Sequence, residues 1–268
     1  MAWGSRYARV PIPEQENPVF RIAAYSVAGS RQEQQDSFGF RLLEKNAMAF
    51  VCDGMGGQQG GGRASFLAAK MLMERFRLLD TPLESLKHMV GVLKEADRQI
   101  ADLRDEAGNP LNAGSTVVWI LVQNGLLGWC AAGDSRAYLM RQGELVPFTQ
   151  EQNYRAVLEE QRRSGLISAQ QYEAELAQGE SLISFLGIGN LFLIDYSSRL
   201  FPLEKGDRII LMTDGLYRLL SDREMQEILL RHAAPKKALR AMENAAAKKA
   251  AESHILRDNT TAVLLCVL

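Results

Sequence analysis

Histidine and cysteine are scarce in this chain, with three of each in 268 residues. Cys52, Cys130 and Cys266 are odd in number, widely spaced and free of any C-x-x-C pair. That excludes a disulfide framework and a cysteine-rich zinc site. Each cysteine sits in an apolar run, so the expectation is three buried, reduced thiols. His88, His232 and His254 lie in or beside helix-like segments, and none neighbours a cysteine in sequence. A surplus of either charge is also missing. Lys plus Arg is 31 and Asp plus Glu is 32, a net charge of -1, so nothing draws the whole chain to nucleic acid or to an anionic membrane. Long hydrophobic runs are absent as well. Residues 117–122 and 262–268 are among the longest and fall far short of a bilayer span. The first eighteen residues have no apolar signal core, so a cytoplasmic location is expected.

The apolar share is 47% and the charged share 24%, which fits a globular chain and not a disordered one. Residues 1–18 are polar, carry three prolines and read as a flexible N-terminal arm. With no internal repeat and no linker-like shift in composition, residues 19–268 read as a single domain.

Strand-like runs occupy 20–28, 37–43 and 47–52, the last apolar throughout. A glycine-rich turn at 54–62 precedes a helix over 64–79. Thr81-Pro82 with Glu84 is a helix start: cap, first helical position and capping-box partner. The apolar stripe that follows runs to about Arg104. Short strands at 115–122, 126–131 and 136–140, separated by glycine turns, form an antiparallel meander. Residues 150–179 are polar and read as two short helices or a mobile excursion. Strands resume at 191–200 and 208–212, helices at 222–232 and 235–253, and a strand closes the chain from 260. Strand groups separated by helix pairs indicate an α+β class, not alternating βαβ units. The lysines at 236, 237, 248 and 249 alternate with acids and read as a solvated helix face.

Five aspartates recur at strand ends: Asp36, Asp53, Asp134, Asp214 and Asp258. Aspartate and glycine are common turn formers, so a single Asp-Gly pair means little. As a set they mean more, because runs as apolar as AFVC and IILMT are normally central strands, whose ends lie together. At about 5 Å and an effective dielectric of about 20, each ionised pair costs about 3 kcal/mol. Such a group calls for cations. Oxygen-only ligands select hard dications, Mg²⁺ or Mn²⁺ and next Ca²⁺, whereas Zn²⁺ would want the missing histidines and cysteines. Two such ions sharing a water suit hydrolysis of a phosphate ester without a covalent intermediate.

The ordered strings R-x-x-x-Q-D-S at 31–37, D-G-M-G-G at 53–57, G-S-T at 114–116, G-D-S-R-A-Y at 133–138, T-D-G-L at 213–216 and D-N-T-T at 258–261 resemble the metal-dependent Ser/Thr protein phosphatases of the PPM, or type 2C, family, bacterial branch. The resemblance spans residues 20–268. It implies a four-layer α-β-β-α fold, a central antiparallel β-sandwich flanked by helix pairs. It also implies two Mg²⁺ or Mn²⁺ ions bridged by Asp53. Asp214 and Asp258 would complete the first site, with Asp36 and the Gly54 carbonyl on the second. Asp134 would help hold a weaker third ion near Asp214, and Arg31 would grip the substrate phosphate. The substrate implied is a phosphorylated protein, cleaved at phospho-Ser or phospho-Thr by a monomer. The alternative is a catalytically idle docking module of the same fold.

The chain departs from the family pattern in several places. Gln58 replaces a common histidine, and Met55 stands where animal members carry a proposed general acid. Arg218 takes the place of an aspartate associated with the third ion. FTQEQN at 148–153 and LISFLG at 182–187 replace the usual strings on either side of the variable flap, about 150–190. Substrate choice is therefore where divergence is expected.

Overall fold

The computed structural model describes residues 12–268. In chain order it contains β1 (Glu14–Glu16), β2 (Phe20–Val27), β3 (Asp36–Leu43), β4 (Asn46–Met55), α1 (Gly57–Arg75), α2 (Pro82–Ala101), β5 (Gly114–Ser115), β6 (Val117–Gln123), β7 (Leu126–Ala132), β8 (Arg136–Arg141) and β9 (Glu144–Pro147). There follow α3 (Tyr154–Arg163), α4 (Ala169–Glu175) with a 3₁₀ turn at Leu176–Gln178, β10 (Asp195–Tyr196), β11 (Phe201–Pro202), β12 (Arg208–Met212), α5 (Asp214–Tyr217), α6 (Asp222–Arg231), α7 (Pro235–Glu252) and β13 (Thr260–Val267).

Two antiparallel sheets face each other. One runs β1-β2-β13-β12-β8-β9; the other runs β10-β7-β6-β4-β3, with β5 on β4 and β11 on β7. The central strands are apolar on both faces because both faces are covered. In β4, Ala47, Ala49 and Val51 point between the sheets, while Met48, Phe50 and Cys52 point at α1 and α2. In β13, Val263 and Leu265 point inward, while Ala262, Leu264 and Cys266 meet α6 and α7. This two-residue alternation builds three stacked cores. The expected four-layer α-β-β-α sandwich is thus the observed one, and the three cysteines are buried and unbridged.

Helix α2 starts as its sequence dictates. The Thr81 side chain accepts from the Glu84 N–H, and Glu84 reaches back to the Thr81 N–H. Helix α1 differs from expectation, because the glycine-rich stretch lies inside the helix and not in a turn before it. A Cβ at Gly61 would stand 2.7 Å from the Gly54 carbonyl oxygen, and one at Gly54 would stand 2.1 Å from the Gly61 oxygen. The glycines let the first turns of α1 lie directly on the end of β4.

Three further points concern weak local signals, and two of them differ from expectation. Of residues 191–200, only Asp195–Tyr196 pairs as a strand, antiparallel to β7. The excursion after Gln150 forms the two expected short helices, α3 and α4, capped by the Asn153 and Ser168 side chains respectively. Within the expected N-terminal arm, Glu14–Glu16 pairs with β2 as an edge strand and Ile12 is buried. Residues 1–11 of that arm lie outside the described residues.

Candidate active site

All five aspartates lie at one end of the sandwich. Asp36 opens β3 and faces Asp53 near the end of β4, directly opposite in the antiparallel register. Asp214 follows β12 as the first residue of α5, and Asp258 precedes β13. Asp134 sits in the turn from β7 to β8. Asp36 and Asp134 are buried, Asp53 and Asp214 nearly so, and Asp258 is partly open.

The hydroxyl and amide residues of the motifs hold this arrangement, a role the sequence reading did not assign. Thr213 Oγ1 donates to Asp36 Oδ2 at 2.8 Å and accepts from the Thr261 N–H at 3.0 Å. One threonine therefore ties the acid of one sheet to two strands of the other. The Asn259 side chain accepts from the Gln35 N–H at 2.9 Å and donates to the carbonyls of Ala28 and Glu33. Thr116 Oγ1 accepts from the Asp53 N–H at 3.0 Å and pairs with Ser135 Oγ at 2.7 Å. The only available signal was the repetition of threonine and asparagine beside the aspartates. At Gly215 a Cβ would stand 2.0 Å from the Asn259 oxygen, so the Asp214-Gly215 pair is fixed by packing as well as by turn chemistry.

Burial and mutual repulsion raise the proton affinity of Asp36, Asp53, Asp134 and Asp214. Asp36 is pushed up to about 7, by burial first, against the pull of the Thr261 and Thr213 hydroxyls and with repulsion from Asp214 and Asp258. Asp53 lies well above the usual carboxylate range, through burial and then the charges of Asp36, Asp214 and Asp134. Asp134 is pushed up to about 6 by burial and Asp214, with Arg218 opposing. Asp214 is raised by burial, again against Arg218.

The donor set fits a hard dication. All five side chains offer oxygen only, they are close enough to repel one another, and Asp36 Oδ1 is buried without a partner. A buried carboxylate oxygen left unpaired is costly, and a cation would satisfy it. Among the described residues no three acidic, histidine or cysteine side chains form a closed ligand set as they stand. Two arginines stand against two of the acids. Arg31 Nη2 donates to Asp258 Oδ2 at 2.7 Å, and Arg218 Nε stands 3.0 Å from Asp214 Oδ2. Guanidinium charge thus offsets part of the repulsion. Arg31 lies beside Asp258, exposed and hydrogen-bonded to it. The Gly54 amide donates to the Gln35 carbonyl at 3.1 Å, and its own carbonyl faces the start of α1.

The family profile described as Protein phosphatase 2C matches residues 25–257. The chain belongs to the protein phosphatase 2C family. It is 27% identical over 204 residues to the serine/threonine phosphatase Stp of Listeria innocua, a match covering 74% of this chain and 78% of that protein. The catalytic domain of the serine/threonine protein phosphatase PstP, solved with two manganese ions, superposes with a TM-score of 0.74 at 25% identity, over 93% of this chain and 99% of that one. The serine/threonine phosphatase of S. agalactiae shares the fold, with a TM-score of 0.78 at 22% identity and coverage of 93% and 100%. A divalent cation is therefore the cofactor of this family's fold, in agreement with the oxygen donor set.

Proposed function

We propose that the chain is a metal-dependent phosphoprotein phosphatase that hydrolyses phospho-Ser and phospho-Thr esters. The observation that carries this reading is the buried pair Asp36 and Asp53, two acids directly opposite on neighbouring strands, with Asp36 Oδ1 left without a partner. Asp36, Asp53, Asp214, Asp258 and the Gly54 carbonyl would hold two Mg²⁺ or Mn²⁺ ions, and Asp134 would help hold a weaker third. Bound there, such ions acidify water and offset charge on the phosphoryl group.

The chain's own residues have separate tasks. Thr213 and Thr116 fix the carboxylate-bearing strand ends, so little reorganisation accompanies substrate binding. Arg31, exposed at the rim, turns its guanidinium from Asp258 to the substrate phosphate and orients it. With Met55 at the position of the animal general acid, protonation of the departing serine or threonine oxygen falls to water or to another residue.

The docking-only alternative finds no support, since the relatives carry phosphatase names. We take residues 19–268 as one catalytic domain acting as a cytoplasmic monomer. Among the described residues no helix is long and apolar enough to cross a membrane. The test is hydrolysis of p-nitrophenyl phosphate and of a phosphothreonine peptide with Mn²⁺ and with EDTA. Turnover should require Mn²⁺ and be lost in Asp214→Asn. Full turnover in EDTA, or an undiminished Asp214→Asn variant, would refute the proposal.

A further inference from the structure

Two guanidinium groups converge on one carboxylate beside the site. Arg218 Nη2 donates to Glu180 Oε2 at 2.6 Å, and Arg155 Nη2 donates to Glu180 Oε1. The same Arg218 reaches Asp214 with its Nε. One planar group therefore touches an acid of the active site on one edge and Glu180 on the other.

Glu180 is exposed, but the loop that carries it is fastened. The Arg155 N–H donates to the Gly179 carbonyl at 2.9 Å, and the Tyr154 N–H donates to the Ser181 carbonyl at 2.8 Å. The first turn of α3 thus grips the residues on both sides of Glu180 and leaves its side chain outward. These groups line a hollow of about 340 Å³. Its far wall is Arg136, paired with Glu151 and laid 3.7 Å over the Tyr217 ring. The Tyr217 hydroxyl in turn donates to the Asp134 carbonyl at 3.1 Å. The hollow therefore adjoins both Asp134 and Asp214, and its three arginines outnumber its two glutamates.

An exposed ion pair contributes little to stability, because two long side chains lose freedom for a screened attraction. Two arginines aimed at one exposed carboxylate have the geometry of an oxyanion receptor, and a guanidinium fork accepts carboxylate or phosphate equally well. We propose that Arg155 and Arg218 form a subsite for an anionic side chain flanking the phosphorylated residue of the substrate, and that Glu180 fills this subsite when no substrate is bound. The inference rests on the phosphatase reading and adds substrate selection to it. Exchange of Glu180 for the incoming anion keeps the arginine charges satisfied at every stage, and the tethered backbone of the loop need not move.

The test uses phosphothreonine peptides that differ in flanking residues: all alanine, one glutamate, one second phosphoserine, or one lysine, scanned over positions on both sides. The glutamate and phosphoserine arms separate the two sources of negative charge. Wild type should hydrolyse the best anionic peptide with a kcat/KM about tenfold above the alanine peptide, carried by KM. Glu180→Gln should lower KM for anionic peptides alone. Arg155→Ala should bring the ratio to about one, and Arg155→Glu should invert it in favour of lysine, which a merely structural loss would not do. The inference is overturned if wild type shows no preference, or if the preference survives Arg155→Glu.

Anisotropy with labelled peptides gives the same answer independently of turnover. Charge-dependent binding without hydrolysis of any peptide would refute the phosphatase reading and uphold the subsite. Hydrolysis without charge dependence would do the reverse.

Discussion

Replacing Asp36 with asparagine separates the structural strain of the acid cluster from its use. Asp36 and Asp53 are directly opposed in the β3–β4 register, which sets their Cβ atoms about 5 Å apart. With an effective dielectric of about 20, two carboxylates at that spacing repel by about 3 kcal/mol. Asparagine removes the charge and keeps the shape. Its oxygen still accepts from Thr213 Oγ1, the contact that joins the two sheets. Its amide replaces Asp36 Oδ1, which has no partner to lose, and faces Asp53 as a donor.

In EDTA, at an alkaline pH where both acids are ionised, Asp36→Asn should therefore be more stable than wild type by about 2 to 3 kcal/mol, after allowance for imperfect pairing of the new amide. For a chain of this size that is a rise in Tm of about 5 °C. Addition of Mn²⁺ should reverse the order. Wild type gains the free energy of ion binding, about 2.7 kcal/mol at a hundredfold excess over Kd, and the variant gains much less. Hydrolysis of p-nitrophenyl phosphate should fall at least tenfold in the variant. Differential scanning fluorimetry with and without Mn²⁺ reads the first two effects. A variant that melts at or below wild type in EDTA would refute the repulsion argument, whatever happened to activity.

Four shorter predictions concern particular residues. Arg31→Ala should lower kcat/KM on a phosphopeptide about tenfold to a hundredfold, mainly through KM, because one charge-assisted grip on phosphate is lost; an unchanged KM would remove Arg31 from phosphate binding. Gly215→Ala drives a Cβ to within 2.0 Å of the Asn259 oxygen and should cost about 2 to 3 kcal/mol in a urea melt. Gly91→Ala, on an exposed turn of α2 with open space around it, should instead gain about 0.5 to 1 kcal/mol, and a loss there would contradict the packing argument. Glu224 is held down to about 2 by Lys249, then by the Ser221 hydroxyl and amide, from an ordinary value of 4.5. Its folded value lies below its unfolded one, so its support is complete above about 4.5 and fades as pH falls toward 2. Glu224→Gln should flatten that part of a pH–stability curve, most visibly at low salt, because the group is exposed and screened.

Local signals were readable where a segment's own chemistry decides its conformation. The Thr81-Pro82-Glu84 cap, the apolar run of β4 and the alternation in β13 needed no distant partner. The glycines of α1 misled because their reason is tertiary: Gly61 is small so that a helix backbone can rest on Gly54, seven residues back. Residues 191–200 have strand composition, but only Asp195, Tyr196 and Ser197 find hydrogen-bonding partners on β7, and Phe192 is left exposed. The short β9 is part-polar and pairs only because it turns back tightly on β8. In the site, the aspartates announced themselves through their place at strand ends. The Thr213 contact joins residues 177 positions apart, and Arg155 meets Glu180 across 25. Neither distance leaves a periodic trace. The Arg218–Asp214 pair did, at the four-residue spacing of a helical turn.

The antiparallel sandwich explains why such a cluster assembles at all. Asp36 and Asp53 are neighbours because β3 and β4 run in opposite directions, so the start of one meets the end of the other. Asp214 and Asp258 are neighbours for the same reason at β12 and β13, where the Thr213 N–H donates to the Thr261 carbonyl at 3.0 Å. Each sheet thus delivers two acids, and the Thr213–Asp36 and Gln35–Asn259 bonds clamp the sheets together at that end. The repulsion falls on these cross-sheet bonds, not on any single strand, and the three packed cores behind them resist it. Weakening the clamp should therefore cost cation affinity before it costs the fold: Thr213→Val would leave the sheets paired but let the two carboxylate pairs drift apart. Isothermal titration with Mn²⁺ would register the loss, while a thermal melt in EDTA would show a smaller change.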